Sequence, residues 1–146
     1  MKKVKRIIGR KERVRFPELG MERVVAKVDT GAYRSSIHCS LIKVVLRGGE
    51  RVLRVRFLDP NHADYKKEGV YFPEFKRVRV KSSNGSIQER FLVKTTLVLG
   101  KRKFKTEFTL TNRSSMKSPV LLGRKAINNR FLVDVSKTFE LDKISE

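Results

Sequence analysis

Val25-Ala26-Lys27-Val28-Asp29-Thr30-Gly31-Ala32 reads as an apolar strand that delivers one acidic side chain into a tight turn. Asp29 stands where the strand ends, so its carboxylate can face a cleft. Gly31 lets backbone N–H groups come close to a charged oxygen, and Thr30 offers a hydroxyl for a cross-brace. These features suit an activated carboxylate. The same residues also make an ordinary turn, because Asp and Gly favour turn conformations on their own account.

Period-two alternation recurs around this stretch. Leu53, Val55 and Phe57 alternate with Arg54 and Arg56; Val78 and Val80 alternate with Arg77 and Arg79; Phe104, Thr106, Phe108 and Leu110 alternate with Lys105 and Glu107. Gly48-Gly49, Asn84-Gly85 and Gly100-Lys101 each sit where a hairpin would reverse, which predicts antiparallel neighbours. Helix is confined to Arg124 to Asn129, after the apolar run Val120-Leu121-Leu122-Gly123 and before the strand-like Phe131-Leu132-Val133. The fold class expected is all-β: a closed barrel of antiparallel strands with one short C-terminal helix. No repeat or linker divides the chain, so residues 1–146 read as a single domain whose body runs from Ile7 to Leu141. Asp59 to Glu74 breaks the hairpins with Pro60, Gly69 and Pro73. Loops of that length in compact domains are commonly functional, and this one is either a flap carrying Tyr65 or Tyr71 toward a cleft or a static insertion.

The 146 residues carry 35 Lys plus Arg against 15 Asp plus Glu, a formal charge of +20. Such a surface attracts polyanions, whether nucleic acid, anionic membrane or acidic peptide, although a merely solvated basic surface has the same composition. The length suits one core and leaves no room for a second full domain. No apolar run approaches the roughly 18 to 20 residues that cross a bilayer, and Lys11 to Arg15 interrupts the apolar region a secretory signal would need. The lone Cys39 suits a reducing compartment and reads as a small buried hydrophobe. A cytoplasmic protein without a membrane partner is expected.

Inventory narrows the chemistry. His38, His62 and Cys39 are the only soft ligands and carry no zinc-site spacing, so no metal is assigned. No phosphate-binding loop is present, so no nucleotide or other cofactor is assigned. No nucleophile elbow surrounds Ser35 or Ser36, which argues against a triad with His38; that histidine reads as packed and hydrogen-bonded.

Pro119-Val120-Leu121-Leu122-Gly123-Arg124 lies about ninety residues beyond Asp29. With it the chain resembles the retropepsin-like aspartic proteases, in which an apolar strand ending in Gly-Arg packs against an Asp-Thr-Gly loop and leads into a helix. Ile8-Gly9-Arg10-Lys11-Glu12, Pro17-Glu18-Leu19-Gly20, Ser82-Ser83-Asn84-Gly85 and Thr111-Asn112-Arg113 with Met116 narrow the likeness to one branch. That branch is labelled ATP-dependent zinc proteases, although the residues for zinc and ATP are missing here. Its members are associated with ATP-grasp glutamate ligases and are understood as peptidases acting on glutamate tails. Many relatives have Arg-Thr-Ser after the loop alanine, where this chain has Tyr33-Arg34-Ser35.

The resemblance implies a catalytic set of Asp29, Thr30 and Gly31, supported by Leu122, Gly123 and Arg124. Arg124 either braces the dimer or the Asp29 loop through a carboxylate partner, or simply starts a helix at the surface. Aspartic-protease chemistry needs two carboxylates sharing one proton, and this chain has one Asp-Thr-Gly, so a homodimer with Thr30 bracing across its axis is implied. The positive surroundings favour two ionised carboxylates while apolar burial beside Ala32 and Leu122 opposes this, and if the charge prevails, cleavage of uncharged peptides requires acid. Ala32 and Arg34 beside the loop are assigned to substrate. If the strands near Leu53 and Val78 pair, Arg54, Arg56, Arg77 and Arg79 form one face able to seat an acidic or polyglutamate-tailed substrate. The competing function is a catalytically inactive basic β-domain binding RNA or another polyanion, for which charge speaks but no RNA-binding signature does.

Overall fold

The computed structural model describes residues 4–81, 84–112 and 118–144; Ser82, Ser83, Arg113 and Met116 of the motifs above lie outside them. In chain order the strands are β1 (Arg6–Ile8), β2 (Lys11–Phe16), β3 (Met21–Val28), β4 (Ser35–Arg47), β5 (Glu50–Phe57) and β6 (Val70–Phe72). They continue with β7 (Lys76–Lys81), β8 (Ile87–Leu99), β9 (Arg102–Thr111), β10 (Val120–Leu122) and β11 (Phe131–Val133), and the helix α1 (Arg124–Ile127) lies between the last two. The strands β10, β3, β2, β8, β9 and β4 pair in that order, and β4 pairs back to β10 to close a ring. Strands β5 and β6 extend from β4, and β7 adds to β8.

The three expected turns reverse the chain between β4 and β5, β7 and β8, and β8 and β9. The expectation of antiparallel strands throughout is corrected at three joints, because β3–β10, β4–β9 and β1–β11 are parallel. Hairpin turns report only sequence neighbours, whereas these joints bring together segments far apart in the chain. The β3–β10 joint matters most: both strands run the same way, so Asp29 and Gly123 emerge at the same end.

Alternation sorts the side chains. Val14, Phe16, Ala26, Ile37, Leu97, Phe108, Leu110, Val120 and Leu122 are all essentially buried inside the ring, and Phe16 meets Phe108 edge to face at 5.3 Å. Glu12 is also fully buried. Its carboxylate accepts backbone N–H bonds from Gly9 (2.7 Å), Glu140 (3.0 Å) and Leu141 (3.1 Å), so a desolvated charge is offset by three donors. It thereby ties the turn before β2 to the C-terminal segment. Cys39 is buried as expected, and burial pushes its thiol well up from the ordinary range.

The expectation of a shared basic face is corrected, and the long loop, read as either a flap or a static insertion, lies away from the cleft. Strand β5 pairs with β4 and β6, whereas β7 pairs with β8, so Arg54 and Arg56 do not share a face with Arg77 and Arg79. Alternation places residues inside or outside a strand but cannot choose that strand's partner. Asp59 to Glu74 contains β6, and Asp64 within it accepts the backbone N–H groups of Glu22 and Arg23 at 3.0 and 2.9 Å. Tyr71 pairs opposite Arg54 on β6.

Candidate active site

Strand β3 ends at Val28 in register with Leu122 of β10. The Asp29 N–H then donates to the Leu122 carbonyl at 2.9 Å, which fixes the backbone that carries the carboxylate. The Gly31 N–H donates to Asp29 Oδ1 at 2.9 Å, and the Ala32 N–H closes the turn on the Asp29 carbonyl at 3.2 Å. A Cβ at Gly31 would stand 3.2 Å from that same Oδ1, so glycine here keeps the carboxylate uncrowded.

The start of α1 holds the other side of the turn. The Arg124 and Lys125 N–H groups donate to the Ala32 and Tyr33 carbonyls at 2.8 and 3.0 Å, and the Gly123 N–H donates to Ser35 Oγ at 3.0 Å. Arg124 therefore begins the helix and also braces the loop, its guanidinium donating to the Thr30 carbonyl at 3.0 Å. That partner is a backbone oxygen rather than a carboxylate. Helix N-termini leave N–H groups without intrahelical partners, and the Asp29 loop supplies the missing acceptors.

The carboxylate opens onto a cleft of about 830 Å³. One wall is the hairpin of β7 and β8, which contributes Arg79, Lys81, Gln88, Glu89 and Arg90; none of Asp59 to Glu74 lines the cleft. The β7–β8 hairpin, not the long loop, shares the cleft with Asp29. Just before β8, Gly85 has φ 88° and Asn84 Oδ1 accepts the Ser86 N–H at 3.1 Å.

Of the substrate residues expected from sequence, Ala32, Arg34 and Arg79 line the cleft, whereas Arg54, Arg56 and Arg77 do not. Arg77 instead lies over Phe91 at 5.0 Å and beside Glu89 at 3.4 Å. Sequence reading passed over Lys81 and Arg90, which only the β7–β8 register brings to the cleft. It also passed over Thr111, which lines the cleft at 7% exposure with a buried hydroxyl that finds no partner among the described residues. The signal was available: with Phe108 and Leu110 inward, Thr109 and Thr111 must face the other way. His38 is buried, its Nε2 2.7 Å from Asp59 Oδ1.

Glu107 connects the site to its frame, pairing with Lys125 of α1 and approaching Arg34 at 3.8 Å. Hydrogen bonding from Lys125, with the charges of Lys125, Arg34 and Lys76, holds its carboxyl below the ordinary value near 4.5. Glu18 is held low by hydrogen bonds from Thr96, Asp134 by Ser136 and Glu140 by Lys143. Each folded value lies below the unfolded one, so the stability these groups add is complete above the unfolded values and is lost as pH falls through the folded ones. The urea midpoint is therefore expected to hold above about pH 5 and drop below it, with a shallower drop in Glu107→Gln. A wild-type midpoint unchanged down to about pH 3 would contradict this.

Asp29 thus sits on a glycine turn that is locked by the end of an apolar strand and faces a cleft walled by a β-hairpin. The chain belongs to the RimB-like family: the family model described as retropepsin-like aspartic endopeptidase RimB matches residues 7–143. It is 40% identical over 136 residues to a probable alpha-L-glutamate ligase of Shewanella halifaxensis, covering 91% of this chain and 29% of that protein. A probable alpha-L-glutamate ligase of Desulfotalea psychrophila is 35% identical over 143 residues, covering 97% and 31% respectively. The chain thus spans under a third of the length of these relatives. The crystal structure of Lpg0085 from Legionella pneumophila, a protein of unknown function, superposes with a TM-score of 0.70 at 30% identity, over 94% of this chain and 99% of that one.

Proposed function

We propose that this chain is one protomer of a homodimeric aspartic endopeptidase, with Asp29 of each protomer forming a two-carboxylate site. The observation that carries the reading is the Asp29 turn itself, pinned by Leu122 and Arg124 and open to the cleft. One carboxylate, ionised, takes a proton from water as the water oxygen attacks the peptide carbonyl carbon. The other, protonated, donates to the carbonyl oxygen. As the resulting diol collapses, the carboxyl that took the water's proton gives it to the amine nitrogen, the other carboxylate takes back a hydroxyl proton, and the C–N bond breaks with the dyad restored. Thr30 braces the pair across the two-fold axis.

The cleft's cations favour an acidic substrate. Arg34, Arg79, Lys81 and Arg90 line it against Asp29 and Glu89, so a glutamate-rich segment meets complementary charge and brings its own negative potential to the carboxylate pair. Naming of relatives as probable alpha-L-glutamate ligases supports a functional association with such a ligase. The test is mass spectrometry of a glutamate-tailed peptide and a neutral control over a pH series, with oligomeric state measured in parallel. Cleavage of the acidic peptide by dimeric protein is expected. Absence of cleavage at every pH where the dimer is folded would refute the proposal.

A further inference from the structure

A second basic surface lies away from the cleft. On the outward side of β4, β5 and β6, Lys43 stands opposite Arg54, Leu41 opposite Arg56, and Tyr71 opposite Arg54 from the other side. The partner face of the same strands turns Leu53 and Val55 into the core. Arg56 follows Arg54 on this face at a spacing of roughly 6.7 Å, two residues of strand. Arg47 lies over the Tyr71 ring at 4.0 Å and Arg54 approaches it at 6.0 Å.

None of Lys43, Arg47, Arg54 and Arg56 forms an ion pair among the described residues. The Arg54 and Arg56 Nε atoms are covered by protein and find no acceptor there. Neither guanidinium charge is matched by a carboxylate among the described residues. Elsewhere arginines find partners: Arg13 pairs with Asp142, Arg15 with Glu22 and Arg77 with Glu89.

We propose that this face is a docking surface for single-stranded nucleic acid, its cations tracking the phosphate backbone and Tyr71 with Arg47 and Arg54 forming a platform for bases. Guanidinium forks suit phosphate and carboxylate alike, but the Tyr71 ring, with Arg47 over one face at 4.0 Å, adds a stacking group that an acidic peptide has no use for. The surface is separate from the Asp29 cleft and does not depend on catalysis. It gives the chain a means of being held at a nucleic-acid-containing assembly while its cleft stays free.

The test is fluorescence anisotropy of labelled oligouridine and oligothymidine over a salt series, using the full chain and variants checked by circular dichroism. Arg54→Gln with Arg56→Gln is expected to lower the slope of log affinity against log salt by about 1.4, which corresponds to roughly 25-fold weaker binding at 0.1 M salt. Lys43→Gln with Arg47→Gln changes exposed residues only and should give the same slope loss, so the test survives if the first pair unfolds. Tyr71→Leu should weaken binding about fivefold or more without changing the slope. Lys101→Gln with Lys103→Gln removes the same charge from another surface and should leave the affinity within about twofold. Equal weakening by that control, displacement of oligouridine by oligoglutamate at matched charge, or no saturable binding would each overturn the proposal.

Discussion

Asp29→Asn is expected to remove peptide hydrolysis, by roughly ten-thousand-fold, while leaving the urea midpoint within error of wild type. Asn keeps the side-chain oxygen that accepts the Gly31 N–H, so the turn retains its hydrogen bond. What disappears is the exchangeable carboxyl proton on which the chemistry turns. Mixed dimers sharpen the test. If wild type and Asp29→Asn are co-refolded in equal amounts, wild-type homodimers are about one quarter of all dimers by random pairing. A site shared across the axis then retains about a quarter of the activity given by an equal total amount of protein that is all wild type, whereas a site complete in each protomer retains about half. The half-activity outcome, or an Asp29→Asn protein that still cleaves, defeats the shared-carboxylate reading.

Much of this arrangement is legible in the chain because it is local. Alternating Leu53, Val55 and Phe57 can bury only one face of a strand, and glycines at φ 60°, 80°, 88° and 64° stand at the turns the sequence marks. The Asp29 turn and the Gly123-Arg124 junction are short patterns whose chemistry shows in the residue types. Pairing between distant segments is less legible. Nothing within Val120 to Leu122 states that it lies parallel to β3, and nothing in Arg54 or Arg77 states that their strands have different partners. The same limit explains why Asp59 to Glu74 drew attention as a flap. Its length was visible in the sequence, whereas the hairpin that walls the cleft beside Asp29 is formed by two runs that look like any other pair of strands.

Gly123→Ala is expected to damage stability and activity together. Residue 123 has an extended backbone, φ −91° and ψ 179°, which any residue adopts, so conformation alone does not demand glycine. Space does. A Cβ there would lie 2.6 Å from the Arg34 carbonyl oxygen and 2.7 Å from both the Arg34 carbonyl carbon and the Tyr33 oxygen. All three are backbone atoms, so relief requires main-chain movement rather than a rotamer change. The segment that must move is the one whose Ala32 and Tyr33 carbonyls accept the first N–H groups of α1 and whose Ser35 hydroxyl accepts the Gly123 N–H. Yielding to the new methyl therefore pulls on the turn that orients Asp29. The expected cost is about 2 to 4 kcal/mol in urea denaturation, with a fall in hydrolysis per folded molecule beyond what unfolding removes. Gly49→Ala separates the causes: it has open space around it but φ 80°, so it should cost about 1 kcal/mol through the backbone and leave turnover unchanged. A Gly123→Ala protein as stable and as active as wild type would show that the loop tolerates the displacement, and that the wedge of β10 against it does not set the position of Asp29.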